Sequence, residues 1–371
     1  MKFKITKKIF LYSLQKINSL ITKNTLSPIL ENILIVIKDN TLFLTSTNIE
    51  LEIQISIPNI FPYVPGSVTV SGKKILSVCR KFSDESNITI SLKKDKLKII
   101  SKNSCYILAT LPANNFPSFS VIEPKINFSI SQNALKNIIF STHFSMAIQD
   151  LRYFLNGLLL EIRNHHLYAV ATDGYRIAIS KTPLEHSCKY YAVILPRKGV
   201  VELLRLLNNS LTLVFIKIGE NYFQIKINNI IFTSKIIEAN FPQYSSIILN
   251  KPNKKLIINS LLFKQALSRI IILSNEMFRG ILIKNNTNQL KITTSNQYDE
   301  KACEILEIIY INTDIEISIN AYYMLDILNV IENKEICLLI NDTNSSIQIQ
   351  QNNHKDDNNY KSIYILMPLK T

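Results

Sequence analysis

The chain has no tryptophan and only 7 glycines. Its 5 cysteines, Cys79, Cys105, Cys188, Cys303 and Cys337, make no C-x-x-C pair, and their number is odd. Structural zinc needs clustered deprotonated ligands, so no metal site is expected, and no cofactor either. The cysteines read instead as buried free thiols of a reducing cytosol. No apolar stretch reaches about 18 residues without polar interruption, so no membrane span is expected. The opening MKFKITKKIF has no long apolar run after its lysines and does not read as a signal peptide.

What the chain does have is length and positive charge. Its 371 residues suit two or three domains, and a hydrophobic content of 47% is enough for a core in each. Lys and Arg number 42 against 28 Asp and Glu, a net charge of +14 with a pI near 9.4. That balance suits a phosphate-rich partner, because Lys and Arg displace condensed counterions from DNA. Ile, Asn and Lys, all abundant here, share AT-rich codons, so compositional drift explains the same excess equally well. The placement of the charges has to decide.

The most informative feature is a segment that recurs three times, at a spacing of about 125 residues, far longer than a solenoid period. Each copy opens with a short alternating strand and an amphipathic helix: MKFKIT then KKIFLYSLQKINSLI, INFSIS then QNALKNIIFSTHF, KKLIIN then SLLFKQALSRIIILSNE. Apolar residues fall at three- and four-residue steps, at Phe10, Leu14, Ile17 and Ile21, at Leu135, Ile138 and Ile139, and at Phe263, Ala266, Leu267 and Ile270. Ser131 and Ser260 suit the N-caps of the later two helices. Alternating strands follow, then a second strand–helix unit in which Pro196 suits a first helical turn, then closing strands. Each copy therefore reads as an α+β layer, with boundaries near Pro124 and Pro252 that give domains 1–124, 125–252 and 253–371.

The polar faces of the predicted helices are mainly basic: Lys7, Lys8 and Lys16; Lys73, Lys74, Arg80 and Lys81; Arg197, Lys198 and Arg205, with Glu202 among them; Lys264 and Arg269. The sixth departs, with Asp326 and Glu332. Ordinary solvated helix faces would look similar. Basic helix faces in each of three repeats are nevertheless what a helix-lined channel for phosphates needs.

The segments SMAIQDLRYFLNG (145–157), VATDGYR (170–176), LPRKGVVELLRLL (195–207), TLPANNFP (110–117), IIFTSKIIEANFPQY (230–244), LSNEMFRG (273–280) and the terminal ILMPLK carry a resemblance. The chain resembles the β subunit of bacterial DNA polymerase III, the replicative sliding clamp, collinearly over its whole length. The resemblance implies three domains of one topology, with sheets outside and helices lining a DNA channel, in a head-to-tail dimeric ring. It implies a non-catalytic, cytoplasmic processivity subunit. Its partners would be double-stranded DNA, the polymerase III catalytic subunit, the clamp loader, other proteins carrying a clamp-binding motif, and a second copy of itself. The chain has no G-x-x-x-x-G-K-[ST], in keeping with a clamp that binds no nucleotide.

The same resemblance implies DNA contacts at Lys23, Asn24, Arg80, Gln149, Arg152, Tyr153, Arg197 and Lys198. It implies a peptide cleft at Leu155, Thr172, Gly174, Tyr175, Arg176, Ile177, Pro242, Ile247, Asn320, Tyr323, Ser346, Ile365 and Met367. It implies a dimer seam of Lys74, Tyr106 and Leu108 against Ile272, Leu273, Glu300 and Glu304. Departures from the family are Asn24 in place of a frequent basic residue, Phe154 for Tyr, Tyr175 for His and Ser246 for Arg. Asn103 and Cys105 stand where the family's seam is richer in Arg.

Two clusters invite chemical readings. Asp173, Tyr175 and Arg176 could form an acid–base group, but Asp173-Gly174 reads better as a tight turn. His165-His166 could bind a metal, but neighbours on a strand point to opposite faces. The alternatives to a clamp are a nucleic-acid-modifying enzyme on the repeated scaffold and a scaffold that binds peptides but not DNA. No clustered carboxylates or histidines support the first.

Overall fold

The computed structural model describes residues 1–23, 27–119, 123–185, 189–249, 252–274, 279–286, 288–311, 315–342, 345–352 and 361–369. In the first copy β1 (Lys2–Thr6) leads into α1 (Lys7–Ile17). Then come β2 (Asn32–Lys38), β3 (Thr41–Thr47), β4 (Leu51–Ile57), the short β5 (Tyr63–Val64) and β6 (Gly66–Ser71). Helix α2 (Gly72–Lys81) and strands β7 (Asn87–Lys93), β8 (Lys96–Ser101) and β9 (Ser104–Leu111) complete it. The second copy runs β10 (Ile126–Ser131), α3 (Gln132–Phe140), β11 (Gly157–Arg163), β12 (His166–Thr172), β13 (Arg176–Pro183), β14 (Tyr191–Pro196), α4 (Arg197–Leu206), β15 (Leu213–Ile218), β16 (Tyr222–Ile227) and β17 (Ile230–Lys235). The third runs β18 (Lys254–Asn259), α5 (Ser260–Ile270), β19 (Gly280–Asn286), β20 (Gln289–Ser295), β21 (Lys301–Glu307), the short β22 (Ile309–Ile311) and β23 (Glu316–Asn320). Helix α6 (Ala321–Val330), β24 (Glu335–Ile340), β25 (Ile347–Gln351) and β26 (Ser362–Leu366) end it. Apart from β5 and β22, the three copies share one order of elements.

Contacts divide the chain into two units that cut across the repeats: residues 1–133 with 201–236, and 134–200 with 237–371. The reason is strand pairing. In the first unit β10, β15, β16 and β17 of the second copy continue the first copy's sheet, through antiparallel β17 and β4. In the second unit β14, β11, β12 and β13 join the third copy through antiparallel β13 and β26. Strands β21, β20, β19 and β23 form a separate sheet there.

The apolar periodicity does what the sequence predicts. Phe10, Leu14 and Ile17 are fully buried, with α1 lying on β3 and β4 and Phe10 edge-on to Phe3. Leu135, Ile138 and Ile139 are fully buried, and so are Phe263, Ala266, Leu267 and Ile270. Each of these Phe, Leu and Ile side chains contributes roughly 1.5–3 kcal/mol by leaving water. Three local expectations need correction. Asn259, not Ser260, caps α5 by accepting from the Leu262 N–H; Ser260 begins the helix and its hydroxyl donates to the Asn333 carbonyl. Pro196 ends β14, one residue before α4. Lys7 is buried rather than on an outer basic face, because its ammonium donates to the Phe82 carbonyl at the end of α2 and to Asp84 at 2.7 Å.

The cysteines also divide. Cys79 and Cys337 are buried as expected, but Cys105 and Cys303 are exposed, on β9 and β21. Cys188 lies outside the described residues.

Candidate functional site

In the first unit α2 buries Ile75 and Cys79 and turns Lys73, Lys74, Ser77, Arg80 and Lys81 to solvent. None of these four cations has a carboxylate within salt-bridge distance among the described residues. Lys23 is exposed in the loop after α1, while Asn24 lies outside the described residues. Not every basic helix residue is free for a ligand. Arg205 binds Glu202 at 3.0 Å and donates to the Lys16 carbonyl, and burial with the charge of Arg205 lowers the Lys16 ammonium pKa.

In the second unit the segment before β11 projects a short loop. Ile148, Leu151 and Tyr153 are exposed, and Gln149 adopts a positive φ of 56°. The loop is built by its own side chains. Asp150 accepts from the Arg152 backbone at 2.8 Å and from both ends of its guanidinium at 3.0 and 2.9 Å, and Asn156 closes the loop on the Asp150 backbone at 2.9 and 2.8 Å. Those bonds from Arg152 hold the Asp150 carboxyl down at about 2. Of the predicted DNA contacts here, Gln149, Arg152 and Tyr153 thus share one exposed loop. Arg197 and Lys198 start α4: Arg197 is half-buried and donates to the Met146 carbonyl at 3.0 Å, and Lys198 is exposed.

The turn after β12 is a built structure, not an acid–base group. Asp173 accepts from the backbone of Tyr175 and Arg176, both at 3.0 Å, Thr172 donates to the Arg176 carbonyl at 2.7 Å, and Gly174 takes a φ of 92° that other residues rarely adopt. A Cβ on Gly174 would lie 3.1 Å from the Arg152 guanidinium. Arg176 is 9% exposed and clasps two carboxylates, Asp173 at 3.0 Å and Asp326 at 2.6 Å. It also donates to the Phe144 carbonyl and lies between the rings of Phe144 and Tyr323, at 5.3 and 4.3 Å.

Ile177 points to the opposite face from Arg176, as neighbours on a strand must. There it joins Phe154, Ile237, Ala239, Phe241 and Ile248 around a buried cluster of Leu159, Tyr168, Val170, Ile179, Ile194 and Tyr244. The Tyr244 hydroxyl donates to Glu161, and Arg163 lies 4.8 Å over Tyr168. Pro242 and Ile247 are exposed on the same segment as Phe241 and Ile248. Tyr175 and Met367 meet at one end, where the Met367 N–H donates to the Tyr175 carbonyl at 2.9 Å; both side chains are exposed, and half-buried Ser346 precedes the neighbouring β25.

The thirteen predicted cleft residues differ in exposure and in what they touch. Ile177, Pro242, Ile247, Tyr175 and Met367 are accessible around the apolar cluster. Leu155 and Ile365 are buried, at 2% and 1% exposure. Arg176, Tyr323 and Asn320 lie toward α6, where Asn320 caps the helix by accepting from Tyr322 and Tyr323. Sequence reasoning missed Phe144 and Asp326 as the partners of Arg176, and Phe241 and Ile248 as apolar wall. The bulky Phe241 and the Ile247-Ile248 pair held a signal for the wall; the 150-residue gap to Asp326 held none.

The seam residues are also described. Tyr106 is edge-on to Phe82 at 5.7 Å, and Ile272 is 78% exposed in the turn after α5. Glu304 already pairs with Arg269 of its own chain through two bonds of 2.8 and 2.7 Å, which lower its pKa. Glu300 accepts from the Asn296 amide. His165 and Asn164 form the β11–β12 hairpin turn with φ of 60° and 50°, and His166 begins β12.

Family models for the DNA polymerase III beta subunit match the chain in three pieces. They are the N-terminal domain over residues 1–120, the central domain over 129–243 and the C-terminal domain over 245–369. The chain belongs to this family of sliding clamps. The beta sliding clamp of Buchnera aphidicola subsp. Rhopalosiphum padi is 44% identical over 370 residues, and that of Escherichia coli K12 is 36% identical over 370, each match spanning 100% of both chains. The crystal structure of DNA polymerase III subunit beta from Pseudomonas aeruginosa superposes with a TM-score of 0.96 at 34% identity, covering 100% of both chains. This clamp thus has the family's three-domain fold of sheets and helices. Its role is that of a DNA sliding clamp, a non-catalytic processivity subunit in DNA replication. No helix among the described residues is long and apolar enough to cross a membrane.

Proposed function

We propose that two copies of the chain close head to tail into a ring around duplex DNA in the cytoplasm, each contributing domains 1–124, 125–252 and 253–371. One observation carries this reading. Inside the chain, each junction between copies is an antiparallel strand pair, β17 with β4 and β26 with β13. The corresponding strands left over are β9 in the first copy and β21 in the third. Among the described residues, β9 has a bare edge beyond its two terminal pairs with β6, and β21 pairs only with β20. These edges carry exposed Ile107 and Ile305, at 60% and 57%. A bare apolar edge invites a further strand, and a second copy offers the complement twice.

DNA binding in this reading is sequence-blind. Arg80, with Lys73, Lys74 and Lys81, presents exposed positive charge to phosphates, and Lys23, Asn24, Arg197, Lys198 and the Gln149–Tyr153 loop add further contacts. The polymerase III catalytic subunit, the clamp loader and other motif-bearing proteins dock short peptides on the apolar face around Ile177, Pro242, Ile247 and Met367. Such a peptide buries little area, so one or two apolar anchors dominate, and about micromolar affinity is expected.

Removing Met367 to Thr371 takes away the exposed Met367 side chain of this face. It also removes the backbone bond from Leu369 to Ser318. The truncated protein should lose binding of a labelled peptide with Gln and paired Leu/Phe anchors, at least tenfold by fluorescence anisotropy, while sedimenting like the intact protein. Equal binding by both forms would place the peptide elsewhere.

A further inference from the structure

Among the described residues the two exposed cysteines stand on these two edges, and the internal repeat sets which residues would face each other there. One ladder starts two residues before the first helix of each copy. It runs Ile5–Ile88, Ile90–Ile99, Ile99–Tyr106 in the first copy. It runs Ile130–Val214, Ile216–Ile225, Ile225–Phe232 in the second, and Ile258–Ile336, Leu338–Ile349, Ile349–Tyr364 in the third. Tyr106, Phe232 and Tyr364 are thus equivalent, and so are the residues before them, Cys105, Ile231 and Ile363.

A second ladder starts one residue before the second helix of each copy. It runs Ser71–Asn32, Leu34–Thr45, Thr45–Gln54 in the first copy and Pro196–Gly157, Leu159–Val170, Val170–Ile179 in the second. In the third it runs Asn320–Gly280, Leu282–Thr293, Thr293–Cys303. Gln54, Ile179 and Cys303 are therefore equivalent. At both junctions within the chain these two positions are directly opposed: Ile231 faces Gln54, and Ile363 faces Ile179.

From this register we propose that Cys105 of one copy faces Cys303 of a second across the closing seam, and that a low-molecular-weight disulfide, such as oxidised glutathione, joins them covalently. The inference rests on the two-copy ring above. Directly opposed residues of an antiparallel pair have Cα atoms roughly 4.5–5.5 Å apart, within the roughly 4.4–6.8 Å that a disulfide spans. The sheet face also agrees. Tyr106 turns toward Phe82 and Glu304 toward Arg269 on α5, so the adjoining Cys105 and Cys303 both point to the face away from the helices.

The chemistry is thiol–disulfide exchange. One cysteine thiolate attacks a glutathione sulfur, forming a mixed disulfide and expelling one glutathione thiolate. The opposed cysteine thiolate then attacks the protein sulfur of that mixed disulfide and expels the second. The two protein sulfurs lose two electrons, glutathione disulfide gains them, and two glutathione thiols leave. Cys79 does not compete, because it is buried and desolvation pushes its thiol up to about 12.

The test uses the full chain in a Cys188→Ser background at micromolar concentration, treated with oxidised glutathione and run on a denaturing gel without reductant. A species of twice the 42.5 kDa chain is expected, reversed by dithiothreitol. Cys105→Ser alone and Cys303→Ser alone should each abolish it. An equal mixture of the two variants should restore it in about half of the chains, because random exchange leaves one intact thiol pair in each mixed dimer. A sample that sediments as a dimer yet yields no covalent species would overturn the opposed pair and leave the seam standing. Linkage that persists in either single variant would assign it to other cysteines. Sedimentation as a monomer would remove the ring reading and this pair with it.

Discussion

Replacing Ile272 and Leu273 together by alanine should convert the proposed two-chain ring into monomers at micromolar concentration, measured by sedimentation velocity. Ile272 is 78% exposed in the single chain, and half-buried Leu273 ends the same turn. Opposite them in the proposed seam stand Tyr106 and half-buried Leu108 of the second copy, with Lys74 nearby. Full burial of one such side chain contributes roughly 1.5–3 kcal/mol, and a closed ring holds four of them. Losing even half of that sum weakens association on the order of a thousandfold. Glu300 and Glu304 add little by comparison: Glu304 is occupied by Arg269 of its own chain, and exposed ion pairs contribute about 0–1 kcal/mol. A double variant that sediments as the unaltered dimer would refute this placement of the seam.

Arg176→Ala should destabilise the second unit by about 3 kcal/mol, because it leaves the largely buried Asp173 carboxylate uncompensated, whereas Asp326, 44% exposed, is screened by water. The guanidinium is held by Asp173, Asp326 and the Phe144 carbonyl, and stacked between two rings. Arg176→Lys keeps the charge but not the planar fork, and should recover only part of the loss. Urea unfolding followed by circular dichroism measures this. A loss below about 1 kcal/mol would mean that Arg176 serves a bound peptide rather than the fold. In the structure Arg176 is the clasp that holds the β12–β13 turn against α6.

What the sequence revealed and what it hid follow from range. Helix faces such as Phe10–Leu14–Ile17 are set by local periodicity, and they were legible. The Thr172–Arg176 turn was legible for the same reason, since Asp173 and Gly174 act within three residues. The cap of α5 slipped by one residue because both Asn259 and Ser260 can cap. Lys7 was misplaced because its partners, Phe82 and Asp84, come from the far end of another helix. The Arg176–Asp326 pair spans two copies, so no spacing rule could find it. Cys105 and Cys303 looked like core thiols by residue type; only the strand order shows that they sit on bare edges. The division of the second copy between two units was equally invisible, because it depends on which strands pair across repeat boundaries.

The most direct measurement of the central claim is retention on DNA of defined topology. The clamp is loaded by the proposed clamp loader onto nicked circular duplex, isolated by gel filtration, and followed before and after the circle is cut by a restriction enzyme. A closed ring that holds DNA by encircling it should stay on the circle through moderate salt and run off once an end is made. Equal retention on circular and linear DNA, weakening in parallel as salt is raised, would contradict encirclement and leave only electrostatic adhesion of the basic helix faces.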